Sequence, residues 1–288
     1  MGFKEEIKEL RKKRVEKGFK VVITGKGGAG KTTLSALLAF LFAHKGYNVL
    51  TVDEDPQINL PFALGYPIDK MKEIVPLSKQ ADYIEEKTGA RPDQGWGGFL
   101  RLNPPVEDVV DRFGLNIANN LNCLVMGTIN KPATGCLCPE NALLDAVVSH
   151  ISLRDDELIL LDTQAGVEHF GRALAKGFSQ CLVVSDPTFN AMSVAVHSAN
   201  LARDLGIKYV HLVLNKVKDQ TAQDKALSLL QQLGKPLADF SSVISLPVEE
   251  KLLEFEPAIV NFLKNFPDSK LSKTLNSLAQ KLETLEES

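Results

Sequence analysis

Short apolar runs recur along the chain, each followed by a stretch with helical spacing. The runs are Val21-Val22-Ile23, Val49 to Val52, Cys123 to Met126, Leu158 to Leu161, Cys181 to Val184, Val210 to Leu214 and Val243 to Leu246. A run that is apolar at every position, rather than at alternate ones, predicts a strand buried on both faces, as parallel sheets require. Leu34, Leu37, Leu38 and Leu41 repeat at helical spacing after the first run. The alternation predicts an α/β fold: a mostly parallel central sheet flanked by helices, with ligands at the carboxyl ends of the strands.

The chain's margins read differently. Residues 4–17 are dense in Lys, Arg and Glu, with a thin apolar stripe through Phe3, Ile7 and Leu10. They predict an N-terminal helical extension over residues 1–19, set before a single domain over 20–288. No linker composition marks a second domain, so the Gly- and Pro-rich stretch 85–108, with Trp96 between glycines, is expected to be an insertion on it. Trp96 suits a packing anchor or a partner or nucleotide contact. Leu271, Leu275, Leu278, Leu282 and Leu285 form a narrow stripe, predicting a C-terminal helix that seats on the body or on another helix.

Composition narrows the partners. The 288 residues are 44% hydrophobic and 24% charged with a net charge of −3, ordinary for a soluble globular chain and without the basic field that nucleic acid or an acidic membrane surface would select. No apolar run approaches the roughly 20 residues that span a bilayer. The Lys/Glu-rich start lacks an apolar secretory core, so a cytoplasmic location is expected. The terminal helix ends Glu283, Glu286, Glu287, which disfavours a membrane-seeking basic helix. The four cysteines read as thiols rather than a disulfide framework.

Between the first strand and its helix lies Gly25-Lys26-Gly27-Gly28-Ala29-Gly30-Lys31-Thr32-Thr33. Glycines at 27, 28 and 30 let backbone N–H groups converge on an anion at a helix N-terminus, Lys31 is placed for the β/γ-phosphates, and the Thr32 hydroxyl for Mg²⁺. The loop predicts a nucleoside triphosphate with Mg²⁺. Lys26 is surplus to it: either a solvated bystander or a charge aimed at a phosphate its own loop cannot reach.

Carboxylates stand at neighbouring strand ends. Asp53 and Asp55 lie two apart on an extended segment and so share a side, where both can face Mg²⁺ and the attacking water. Asp162 ends the run Leu158 to Leu161 as a metal-side aspartate would. Acidic residues also serve as turn formers there. Gly166 gives the following segment the freedom a phosphate-sensing switch needs, and His169 within it is a minor metal or proton candidate. Asn215 ends another strand, as a turn residue or a base-reading one.

The second chemical signature is Gly135-Cys136-Leu137-Cys138-Pro139-Glu140-Asn141. Pro139 suits a first helical position, which puts Cys138 at a helix N-terminus, where a thiol is more easily ionised for metal binding. Two thiolates make half of a four-sulfur site, and a two-fold axis beside the loop would supply the other half. Buried packing thiols are the bland alternative. An extended pair lies near the upper limit for a disulfide, about 6.6 Å between Cα atoms.

The loop Lys-Gly-Gly-x-Gly-Lys-Thr resembles the deviant Walker A motif of the family containing MinD, ArsA, the nitrogenase iron protein and the CooC proteins. With the Cys-x-Cys-Pro-Glu-Asn string, Asn103-Pro104, Asp108 and Gly166 to Arg172, residues of about 20–265 look like the CooC/AcsF group, nickel-insertion ATPases that mature carbon monoxide dehydrogenase and acetyl-CoA synthase. The resemblance implies a homodimer in which Lys26 reaches the partner's nucleotide, Asp55 positions water, Asp53 stands in the metal's outer shell and Asn215 bonds adenine. It also implies ATP hydrolysis, with one Ni²⁺, or Zn²⁺ on the same sulfurs, held between the Cys136/Cys138 pairs for delivery to a nickel enzyme. Gln164 stands where the resemblance leads one to expect an acid. An iron–sulfur ATPase and a MinD-like scaffold or partitioning ATPase are the rivals. The first needs a cysteine after the switch, and residues 162–172 hold none.

Overall fold

The computed structural model describes residues 18–92, 100–101, 104–127, 139–150, 156–165 and 177–287. The predicted N-terminal extension up to residue 17, Trp96, residues 102–103, the Cys136/Cys138 pair and residues 166–176 lie outside them. Along the chain run β1 (Phe19–Gly25), α1 (Lys31–Lys45), β2 (Asn48–Asp53), α2 (Leu60–Ala63), α3 (Ala81–Thr88), α4 (Val109–Phe113), β3 (Leu115–Ala118), β4 (Leu121–Val125) and α5 (Pro139–His150). There follow β5 (Glu157–Asp162), β6 (Gln180–Ser185), α6 (Phe189–Asp204), β7 (Tyr209–Val217), α7 (Gln220–Gln232), β8 (Ser242–Pro247), α8 (Asn261–Asn265) and α9 (Lys270–Glu287).

The strands form one sheet in the order β3-β4-β2-β5-β1-β6-β7-β8. All neighbours are parallel except β3 and β4. Each apolar run predicted to be a strand is one. Alternate residues of β1 serve opposite cores: Phe19, Val21 and Ile23 pack with α1, α8 and α9, while Val22 packs with α3, α5, α6 and α7. A strand covered on both sides has no polar face to show, which is why its sequence is continuously apolar. β1 begins at Phe19, so the strand takes the last residue of the predicted extension.

β3 was not among the predicted runs. Its sequence Leu-Asn-Ile-Ala alternates half-buried and exposed positions on an antiparallel edge, a pattern too short and too polar to stand out.

α9 seats on the body. Leu271, Leu275, Leu278, Ala279 and Leu282 are buried in one cluster with Leu34, Leu37, Leu38 and Phe42 of α1, and Lys45 pairs with Glu283. Each such leucine contributes about 1.5–3 kcal/mol of burial. Among the described residues, no helix is long and apolar enough to cross a membrane. Cys123 and Cys181 are buried free thiols, and desolvation pushes both well above the usual thiol range.

The carboxyl end of β1 is where the succession of strands reverses: β5, β2 and β4 lie to one side, and β6, β7 and β8 to the other. Open α/β sheets bind ligands at such a point.

Candidate functional site

The loop 25–30 leaves β1 at that reversal. Gly25 has φ +145°, and a Cβ there would meet the Val184 carbonyl oxygen of β6 at 2.1 Å, so only glycine lets the two backbones approach. The Ala29 N–H closes a turn on the Lys26 carbonyl at 3.2 Å. α1 starts at Lys31 with Gly30 in left-handed conformation as its N-cap and no side-chain cap, so its first-turn N–H groups remain for an anion.

Lys31 is buried, its ammonium 3.5 Å from the Lys26 carbonyl. Burial lowers its pKa, while Asp162 and Asp55 favour its charge. Lys26 is half-buried, and among the described residues its ammonium has no hydrogen-bond or ion-pair partner.

Asp53 and Asp162 end adjacent strands, Asp53 on β2 and Asp162 on β5. Both are fully buried. The Asp53 carboxylate holds the loop that follows it: Oδ1 accepts the Asp55 N–H at 3.0 Å and Oδ2 the Leu60 N–H at 3.1 Å. Burial, reinforced by Asp162, raises its pKa well above the carboxylate range. Within the held loop, Asp55 Oδ1 accepts the Gln57 N–H at 2.9 Å, and Ile58 adopts φ +53°, a strained position for a β-branched residue.

Burial pushes Asp162 up to about 6, opposed by Thr32, Ser35 and Lys31. The Ser35 hydroxyl lies 3.0 Å from Asp162 Oδ1 and 2.9 Å from the Lys31 carbonyl. Asp162 Oδ2 is buried without a hydrogen-bond partner. An orphaned, buried carboxylate oxygen next to the Thr32 hydroxyl and the phosphate loop fits a hard divalent cation such as Mg²⁺. Thr163 anchors the strand end through its N–H and hydroxyl to the Ile23 carbonyl, and Ala165 comes within contact distance of where a Cβ on Gly27 would be.

Asn215, expected at the base, is placed against the phosphate loop. Its Nδ2 donates to the Ala29 carbonyl at 2.8 Å, and Lys216 donates from Nζ to the Gly28 carbonyl at 2.7 Å. Sequence reasoning gave no role to Ser35 or Lys216. Ser35 sits on an apolar helical face where a small hydroxyl carries no signal, whereas Lys216 stood beside a residue already singled out.

The structure thus brings together Gly25, Lys26, Gly27, Gly28, Ala29, Gly30, Lys31, Thr32, Thr33, Asp53, Asp55, Asp162 and Asn215 at one end of the sheet. α5 begins at Pro139, as expected from the sequence, and Cys136 and Cys138 before it fall outside the described residues. Among the described residues no group of three or more His, Cys, Asp and Glu could hold a metal ion.

A phosphate loop at the reversal point of a parallel sheet, flanked by two strand-end aspartates, defines a nucleotide-binding protein of the P-loop class. The comparisons make the class specific. The chain belongs to the family of the CobQ/CobB/MinD/ParA nucleotide binding domain, which matches residues 20–252, and so is a P-loop ATPase of the MinD/ParA class. An uncharacterized ATP-binding protein of Methanocaldococcus jannaschii is 39% identical over 237 residues, 82% of this chain and 88% of that one. The carbon monoxide dehydrogenase accessory protein CooC of Rhodospirillum rubrum is 37% identical over 198 residues, 69% of this chain and 74% of that one. The MinD cell division protein of Aquifex aeolicus shares the fold, with TM-score 0.62 at 20% identity, covering 92% of this chain and 96% of that one.

Proposed function

We propose that the protein is a homodimeric, ATP-hydrolysing metallochaperone that holds Ni²⁺ between two Cys136/Cys138 pairs and delivers it to a nickel enzyme, carbon monoxide dehydrogenase or acetyl-CoA synthase. The observation that carries this is the 37% identity to CooC in a chain that also has the Cys-x-Cys pair before α5.

In this proposal Lys31 and the N–H groups of residues 27, 28 and 30–33 bind the phosphates of ATP, and Asn215 contacts adenine. Thr32 and Asp162 would hold Mg²⁺, which would supply charge neutralisation to the transferring phosphoryl group. Asp55 orients water, whose oxygen bonds to the γ-phosphorus as the bond to the β-phosphate oxygen breaks; the electron pair leaves with ADP and the water's proton passes to the phosphate released. The loop carrying Asp55 is held by Asp53, so the water-orienting carboxylate is fixed before substrate arrives. Lys26, whose ammonium has no partner among the described residues, is available to a partner subunit's triphosphate.

Nucleotide can change metal affinity only if the two dimer states hold the metal differently. Closure across the two-fold axis would move one α5 against the other and reshape the four-sulfur site. Zn²⁺ would take the same sulfurs tetrahedrally, Ni²⁺ in a square plane.

The test is elemental analysis with light scattering after adding Ni²⁺, with and without ADP or ATP. One nickel per dimer, lost in Cys136→Ala and altered by nucleotide, supports nickel insertion. A nucleotide-dependent dimer that ignores nickel refutes it in favour of a MinD-like scaffold. Lys31→Ala is expected to abolish ATP binding, and unchanged affinity would refute the phosphate assignment.

A further inference from the structure

The link between β7 and the phosphate loop has a feature that reading the base does not require. Lys216 adopts φ +57°, a left-handed conformation that non-glycine residues rarely take, and the β7–β8 register shifts between Leu214 and Val217. Glycine would take this conformation without strain, so what a lysine here adds is its side chain. That side chain, though exposed, folds back so that Nζ donates to the Gly28 carbonyl at 2.7 Å.

Asn215 is engaged at both ends. Its Nδ2 donates to the Ala29 carbonyl, and its Oδ1 accepts the Lys216 N–H at 2.9 Å. Gly30 accommodates it, because a Cβ at residue 30 would lie 2.3 Å from Asn215 Nδ2. Two consecutive carbonyls of the loop, on Gly28 and Ala29, are therefore tied to two consecutive side chains of one strand end.

A trans peptide carries its C=O and N–H on opposite sides. Fixing the Ala29 carbonyl turns the Gly30 N–H away from Asn215, and fixing the Gly28 carbonyl turns the Ala29 N–H away from Lys216. The Ala29 N–H then closes the turn on Lys26. A loop with glycines at 27, 28 and 30 can flip these peptides at little cost: flipping the Ala29–Gly30 peptide would present a carbonyl, in place of an N–H, to an anion, and flipping the Gly28–Ala29 peptide would break the turn on Lys26.

We propose that Lys216, with Asn215, is a positioning pair that holds the Gly28 and Ala29 carbonyls outward and so keeps the phosphate loop in its anion-accepting shape before nucleotide arrives. This rests on the nucleotide assignment above but adds a role that concerns the phosphates, not the base. Inorganic tripolyphosphate with Mg²⁺ separates the two, since it has phosphates and no base.

The experiment compares wild type, Lys216→Met, Lys216→Gly and Lys216→Arg by titration calorimetry with ATP and with tripolyphosphate, alongside thermal melts and amide exchange of residues 26–30. Lys216→Met and Lys216→Gly are expected to weaken both ligands by the same factor, about 5- to 30-fold, and to speed amide exchange in the loop. Lys216→Gly relieves the strained backbone, so its melting temperature should hold while its phosphate affinity falls, a combination that a purely structural role does not produce. Lys216→Arg should restore most of the affinity. Loss of ATP affinity with tripolyphosphate binding intact would overturn the proposal in favour of a contact to the nucleoside. Unchanged affinity for both would overturn it outright. Failure of wild type to bind either ligand would overturn the nucleotide assignment along with it.

Discussion

Asp53 and Asp162 are register partners on the adjacent parallel strands β2 and β5, and neither has a solvent-accessible surface. Their chemistry nonetheless diverges. Asp53 spends both oxygens on backbone N–H groups of its own loop, whereas Asp162 keeps Oδ2 without a partner. One carboxylate shapes the site and the other is left for what enters it.

Asp162→Asn is therefore expected to stabilise the nucleotide-free protein while removing its activity. The change deletes a buried charge whose pKa is pushed up to about 6 and preserves an oxygen for Ser35. We expect a gain of about 1–3 kcal/mol and at least a hundredfold loss of Mg²⁺-dependent ATP hydrolysis. Denaturant titration and phosphate release check the two halves. A less stable variant would contradict the account of the buried charge.

Asp53→Ala should act through the loop. It leaves the Asp55 and Leu60 N–H groups without their acceptors, at a cost of about 2–4 kcal/mol, and releases the strained Ile58 turn. Faster amide exchange confined to residues 54–60 is the signature to look for.

His211 supplies a pH dependence remote from the nucleotide. It is buried between Ser242 and Gln180, and desolvation, with Lys281, lowers its pKa to about 4 from an ordinary 6.5. Between these values the unfolded chain takes up the proton and the folded one does not, so stability falls as pH drops through the window. About 1 kcal/mol is expected to be lost between pH 7.5 and 5.5, and His211→Gln should lack that component. The difference between the two chains' denaturation curves across pH measures it.

Gly25→Ala should be among the most disruptive single-methyl changes in the protein. The added carbon meets backbone of the central strand β6 and cannot be accommodated by a side-chain rotation. A loss of about 2–4 kcal/mol with little soluble protein is the expectation, read by chemical denaturation.

How much of this was legible beforehand follows from what each feature asks of the sequence. Buried parallel strands must be apolar throughout, so β1, β2, β4 to β8 and their order of appearance could be read. The phosphate loop could be read because its glycines and lysines sit at fixed offsets in one segment. β3 could not, since an edge strand of four residues needs no distinctive pattern. The contacts of Ser35 with Asp162 and of Lys216 with Gly28 join residues far apart in sequence, and only the sheet order brings them together. Asn215 was picked out for adenine. Its contact with the Ala29 carbonyl was invisible because nothing local marks it.

The leucines of α9 and those of α1 lie in one apolar cluster, although more than two hundred residues of chain separate them. On the ribosome, the helix whose first turn frames the phosphate loop emerges early and waits for a cover that is synthesised late. Until residues 270–287 have left the exit tunnel, the cluster around Leu34, Leu37, Leu38 and Phe42 lacks Leu271, Leu275, Leu278 and Leu282. A nascent chain arrested before α9 would thus contain every residue of the loop yet lack part of the packing on its helix.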